Sequence, residues 1–161
     1  MGNVYTHSEL VEKRNQWKQQ GKTVVFTNGV FDILHRGHVE YLTSAKKLGH
    51  ILVVGVNTDA SVKRIKGPLR PIVNEHDRAF VLSQLVCVDA VCLFTEDTPL
   101  ELISSIVPDV LVKGADYTKE TIVGRDVVER AGGTVRTIEF VPDRSTSNIV
   151  DTIVRRFSKS K

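Results

Sequence analysis

In the stretch Phe31-Asp32-Ile33-Leu34-His35-Arg36-Gly37-His38, two histidines stand three residues apart with a glycine between them, directly after an apolar run. Imidazoles at i and i+3 project from neighbouring positions on one helical face. Two chemistries use such a pair, metal ligation and phosphate binding. A zinc ion wants a third protein ligand, and neither Cys87 nor Cys92 falls near the end of a strand, so no metal site is read here. Phosphate fits better. The first turn of a helix offers unpaired N–H groups and the positive end of its dipole, and Gly37 leaves room for an anion to approach the backbone. The bland alternative, one core and one surface histidine, loses ground once the other polar clusters are placed.

Placing them needs the elements. Thr6-x-x-Glu9 has the spacing of a capping box and opens a helix over about 7–20, stopped by Gly21. Strands are predicted in KTVVFTN, ILVVGVN, DAVCLF, VPDVLVKG and TVRTIEF, near positions 24, 52, 91, 110 and 136. A helix over His35–Leu48 puts Val39, Leu42 and Ala45 on its apolar side. Asp59 to Pro71 is basic and broken by Gly67, Pro68 and Pro71, so it reads as a short helix and a loop. Asn74 caps a helix carrying Ala79, Leu82 and Leu85, Thr98-Pro99-Leu100-Glu101 starts another, and Ser147 to Phe157 forms the last. Strands alternating with helices predict an α/β, Rossmann-like three-layer fold. Its sheet is five-stranded, mainly parallel and flanked by helices, in a single domain spanning 1–161. Ligands in such sheets bind beyond the C-terminal strand ends. Thr27 to Asp32 with the histidines, Asn57 to Arg70, Lys113 to Tyr117 and Pro142 to Asn148 all fall at that edge.

Composition removes other classes. The formal charge of +3 over 161 residues suits small anionic substrates, while no concentrated basic stripe with interleaved aromatics supports nucleic-acid binding. No apolar run reaches the length of a membrane span, and the polar N-terminus is no signal peptide. A cytoplasmic protein with two free thiols is the expectation.

The segments TNGVFDILHRGHVEYLTSAKKLG, LVKGADYTKETIVGRDVVERAGGTV and RSTSNIV, in that order, resemble the His-x-Gly-His nucleotidyltransferases, and specifically the adenylyltransferase domain of bacterial ADP-heptose synthases. The likeness runs from about Thr23 to Phe157. It implies transfer of AMP from ATP to D-glycero-β-D-manno-heptose 1-phosphate, with Mg²⁺ bound on the ATP phosphates, giving ADP-heptose and pyrophosphate. The alternative is a cytidylyltransferase acting on glycerol 3-phosphate or another small polyol phosphate, whose first and last motifs are shared. The resemblance admits a homodimer. It also implies that a separate sugar kinase makes the sugar 1-phosphate, since no kinase half is read in this chain. Neither nucleic acid nor membrane is an expected partner.

Such a transfer needs no strong base, because the acceptor phosphate is already ionised; the protein must align two anions and neutralise charge. His35 and His38 suit the α- and β-phosphates. The resemblance sets Thr27, Asn28, Gly29 and Phe31 against the triphosphate, and Lys113, Gly114, Asp116 and Tyr117 along the nucleotide. It also makes Arg78 a contact for the β- and γ-phosphates. Ser145, Thr146 and Ser147 offer a second anion cradle, or simply cap the last helix, or both. Lys63, Lys66 and Arg70 are candidates for the acceptor phosphate, with solvated loop charges as the alternative, and Arg70 is favoured as the catalytic one. Asp32 orients the acceptor or holds the turn.

Overall fold

The computed structural model describes residues 2–115, 118, 121–139 and 145–158. Six parallel strands form one sheet in the order β1-β4-β3-β2-β5-β6, namely β1 (Asn3–Tyr5), β2 (Val24–Gly29), β3 (Ile51–Asn57), β4 (Ala90–Phe94), β5 (Val110–Gly114) and β6 (Thr134–Ile138). The α/β class is as expected, but among the described residues the sheet has six strands and every pairing is parallel. The additional strand is the edge strand β1, beside β4.

The helices are α1 (His7–Gln19), α2 (Arg36–Lys46), α3 (Asp59–Lys66), α4 (Glu75–Ser83), α5 (Leu100–Ile106), α6 (Arg125–Arg130) and α7 (Thr146–Phe157). The expected caps are in place: Thr6 and Glu9 form a full capping box on α1, and Asn74 accepts from the Asp77 N–H at α4. Strand residues alternate between two cores. Val24, Phe26, Ile51 and Val53 pack with Leu10, Leu102, Ile103 and Val128. Val25, Leu52, Val54 and Val56 pack with Tyr41, Leu42, Ala45, Ala79 and Leu82 on the other face. Val39 is an exception to the reading of α2, since it stays exposed while Tyr41 takes the buried place.

The sheet order decides where a ligand belongs. From β2 the chain adds β3 and β4 on one side, then crosses to add β5 and β6 on the other. The reversal between β2 and β5 is a topological switch point, where the two flanking turns diverge and open a crevice.

Candidate active site

A crevice of about 530 Å³ lies at that point. Among the described residues its wall takes in Asn28, Gly29, Val30, Phe31, Asp32 and His38 from the end of β2 and the start of α2. Lys113 and Gly114 come from β5, Asn57 from β3, Ile65, Lys66 and Arg70 from α3 and its loop, and Asp97, Thr98 and Pro99 from the segment after β4. Tyr41, Thr121, Val123 and Thr146 complete it.

The histidine pair is built by its neighbours. Phe31 holds a left-handed φ of 49°, rare for a bulky residue, and its ring folds back over Gly29. A Cβ at position 29 would stand 2.9 Å from that ring, so a larger residue there would have to displace it from its place against His38. The Phe31 ring meets His38 edge-on at 5.2 Å, and His35 stacks on His38 with centroids 3.8 Å apart. His35 is the N-cap residue of α2, extended and making no side-chain cap bond. The first-turn N–H groups are thus left without a side-chain cap beside the imidazoles, as an anion site requires. Burial first, and the neighbouring His35 second, push His38 down from 6.5 to about 4. At neutral pH His38 is an uncharged imidazole. Its Nδ1 is buried with no hydrogen-bond partner among the described residues, so its protein neighbours do not pin the tautomer.

The wall opposite is cationic. Lys113, largely buried, donates to Asn28 Oδ1 and so ties β5 to β2 across the switch point. Arg70 Nε stands 2.9 Å from Asp32 Oδ2, a charge contact without hydrogen-bond alignment. Asp32 Oδ1 accepts from the N–H groups of Ile72 and Val73 at 2.8 and 2.9 Å. Only 3% exposed, Asp32 holds the basic loop against the β2 turn through these bonds while still lining the crevice.

The structure places the other expected residues as follows. Arg78 is 2% exposed and spends its guanidinium on protein groups, donating to the carbonyls of Val73 and Val30 and to Asp59 Oδ1 at 2.6–2.9 Å. It ties three segments together and is not among the residues of the crevice wall. Thr27 is fully buried and shares a 2.8 Å hydrogen bond with the Tyr41 hydroxyl. Ser145 accepts from the Asn148 N–H and caps α7, whereas Ser147 is exposed on that helix and Thr146 alone of the three lines the crevice. Lys63 is exposed and stands off the wall, unlike Lys66 and Arg70. Gly37 is buried in the first turn of α2. Asp116 and Tyr117 lie outside the described residues.

Tyr41 and Asp97 were not singled out from sequence, Thr98 and Pro99 were read only as a helix start, and Asn57 only as the start of a stretch at the ligand edge, yet all five share the wall. Asn57 donates to Ser61 Oγ at 3.0 Å, and Ser61 Oγ donates to the Glu96 carbonyl at 2.9 Å, joining the ends of β3 and β4 through α3. The end of β4 lies at the same sheet edge as the ends already considered, a signal that could have found this segment. Both cysteines are free thiols. Burial, with Glu96 adding to it, pushes Cys92 up to about 11, an inert thiol.

Comparison with known proteins agrees with this geometry. The family model described as cytidylyltransferase-like matches residues 26–157. The bifunctional protein HldE of Syntrophotalea carbinolica is 56% identical over 142 residues, 88% of this chain and 29% of that protein. HldE of Geobacter metallireducens is 55% identical over 142 residues with the same shares. The chain therefore spans less than a third of the length of these curated relatives. The crystal structure of the lipopolysaccharide core biosynthesis protein from Thermoplasma volcanium superposes with a TM-score of 0.62 at 34% identity, covering 75% of this chain and 98% of that one. With the family model covering most of β2, strands β3 to β6, the histidine pair and α7, this chain belongs to the cytidylyltransferase-like family.

Proposed function

We propose that this domain transfers AMP from ATP to D-glycero-β-D-manno-heptose 1-phosphate, releasing pyrophosphate and ADP-heptose. The observation that carries the reading is His38, stacked on His35 at an uncapped helix start and lining one crevice with Lys66, Arg70 and Lys113. The resemblance of the sequence motifs to the adenylyltransferase domain of ADP-heptose synthases supplies the nucleotide and the sugar. An oxygen of the acceptor phosphate attacks the α-phosphorus, and the bond from that phosphorus to the bridging oxygen of pyrophosphate breaks. His38, neutral, serves as a hydrogen-bond donor to phosphate oxygens on which charge builds. His35 shares that task from the N-cap. Lys113 and Asn28 border the nucleotide, Thr146 reaches it from α7, and Lys66 and Arg70 meet the acceptor phosphate.

The donor set suits phosphate oxygens, and no group of three or more His, Cys, Asp or Glu among the described residues is arranged to cage a metal ion. Mg²⁺ fits as an ion held chiefly by the ATP phosphates and water. When bound, it neutralises charge on the leaving pyrophosphate. The described helices include none long and apolar enough to cross a membrane. The reading places the domain in the cytoplasm with a sugar kinase, separate or fused, supplying the sugar 1-phosphate.

Pyrophosphate release from ATP and from CTP, measured against a panel of sugar 1-phosphates and glycerol 3-phosphate, tests the reading. Turnover with ATP and a heptose 1-phosphate, with the nucleoside diphosphate sugar recovered, is the expected result. Release of inorganic phosphate from ATP with no sugar-linked product would overturn it.

A further inference from the structure

We propose that Asp97 reads hydroxyl groups of the acceptor and so sets which phosphorylated compound is taken; this rests on the transferase reading above. Asp97 lies just past the end of β4 and shares the crevice wall with Lys66 and Arg70. Most of the charged groups on that wall suit an anion, so a carboxylate there is an anomaly. Placed against a phosphate it would repel it. Asp32, the other wall carboxylate, is buried and occupied by the basic loop. Asp97 is not occupied in that way. Arg64 Nε donates to its Oδ1 at 2.7 Å, and Arg64 Nη2 is itself held by the Thr95 carbonyl. Among the described residues no hydrogen bond engages Oδ2. Both side chains are about half exposed, at 48% and 58%, where an ion pair adds little to stability. What the pair does achieve is to orient an ionised carboxylate on the β3–β4 side of the crevice.

That side is the acceptor's. His38, Asn28 and Lys113 line the crevice beside the β2–β5 switch point, and Lys66 at the end of α3 and Arg70 on the loop after it share the wall with Asn57 at the end of β3 and Asp97 just past β4. An acceptor whose phosphate meets Lys66 and Arg70 brings its uncharged part within the same wall as Asp97. A carboxylate is an acceptor-only group and takes O–H donors, so the matching ligand is polyhydroxylated. A site built to bond a hydroxyl rejects the analogue that lacks it far more strongly than an apolar pocket rejects a missing methylene. Asp97 therefore separates a sugar phosphate from phosphates of similar charge but fewer hydroxyls.

The test is steady-state kinetics of the wild type, D97A and the near-isosteric D97N, with ATP saturating and Mg²⁺ in excess. Acceptors are a sugar 1-phosphate and a series of its singly deoxygenated analogues. D97A should raise the acceptor KM about tenfold or more while the ATP KM stays within about twofold, the loss expected for one hydrogen bond to a charged group. One deoxy analogue should cost the wild type about as much, and cost D97A little further. D97N, which keeps shape and one acceptor oxygen, should fall between the two. Unchanged acceptor kinetics in D97A would overturn the assignment. So would a penalty equal for every analogue, or one abolished by raising Mg²⁺, which would mark a metal contact. Should the wild type turn over no sugar phosphate at all, the transferase reading itself falls; turnover by the wild type with an indifferent D97A removes only Asp97.

Discussion

His38 is held by an aromatic edge on one side and a stacked imidazole on the other, so its position is set by packing and not by a carboxylate partner. That arrangement suits a group that donates a hydrogen bond and need not accept a proton. Replacing it by alanine should lower kcat by about two orders of magnitude, the effect of losing one well-placed donor, with ATP affinity largely kept. Calorimetric titration of ATP beside single-turnover rates separates the two effects, and equal rates for H38A and wild type would remove His38 from the chemistry. The same residue has a pH signature. Its folded value, about 4, lies below the 6.5 of an ordinary histidine. Between those values the unfolded chain binds a proton that the folded protein does not, so stability falls as pH falls through this window. Denaturant midpoints at about pH 7.5 and about pH 4.5 should drop more in the wild type than in H38N. The two histidines were legible from type and spacing alone. Arg78 was not, because a charged residue near a phosphate site reads as a ligand contact until the three segments converging on it are seen.

The loop between α3 and α4 is the element proposed to meet the acceptor, and it is anchored by Asp32. Arg70 is therefore tied to a buried anion as well as facing the crevice, and R70A has two consequences. It removes the cation proposed for the acceptor phosphate, and it leaves a carboxylate that is 3% exposed without its counter-charge. The second effect should cost about 3 kcal/mol of stability. D32N in the R70A background relieves it, because asparagine still accepts from the Ile72 and Val73 N–H groups while carrying no charge. The double variant should regain most of the lost stability and keep the raised acceptor KM. Recovery of wild-type acceptor kinetics in D32N/R70A would show that Arg70 acts only through the fold of the loop. The loop's breakers, Gly67, Pro68 and Pro71, announced its irregularity in sequence; its anchor did not, since the bond from Asp32 spans some forty residues. β1 escaped the sequence reading for a different reason. Three residues at a sheet edge, with Val4 half exposed, carry no measurable alternation, and only pairing with β4 makes them a strand.

Across the whole molecule the two ends of the sheet do different work. At the N-terminal strand ends, an aspartate just before a strand binds the adjacent strand's backbone and a cation from a helix. Asp109, before β5, accepts from the Val24 N–H at 2.7 Å and from Arg14 of α1 at 2.9 Å. Asp89, before β4, accepts from the Leu52 N–H at 2.6 Å and pairs with Lys46 of α2. These bonds clamp α1 and α2 to the sheet at the edge opposite the crevice. The segment Asp97–Pro99 joins the crevice for the same global reason: only the order β1-β4-β3-β2 brings the end of β4 beside those of β3 and β2, and no local pattern encodes that order. Stability and chemistry should accordingly separate on mutation. Arg14 is 7% exposed and also donates to the carbonyls of Ile106 and Val107. R14A strands those acceptors and should lower the unfolding free energy by about 3 kcal/mol. Because α1 contributes no residue to the crevice wall among the described residues, kcat and both KM values should stay within about twofold of wild type at temperatures where the variant is folded. Urea unfolding paired with acceptor kinetics checks both halves. A large loss of kcat in a folded R14A protein would show that the clamped end of the sheet positions the reacting groups as well as holding the fold.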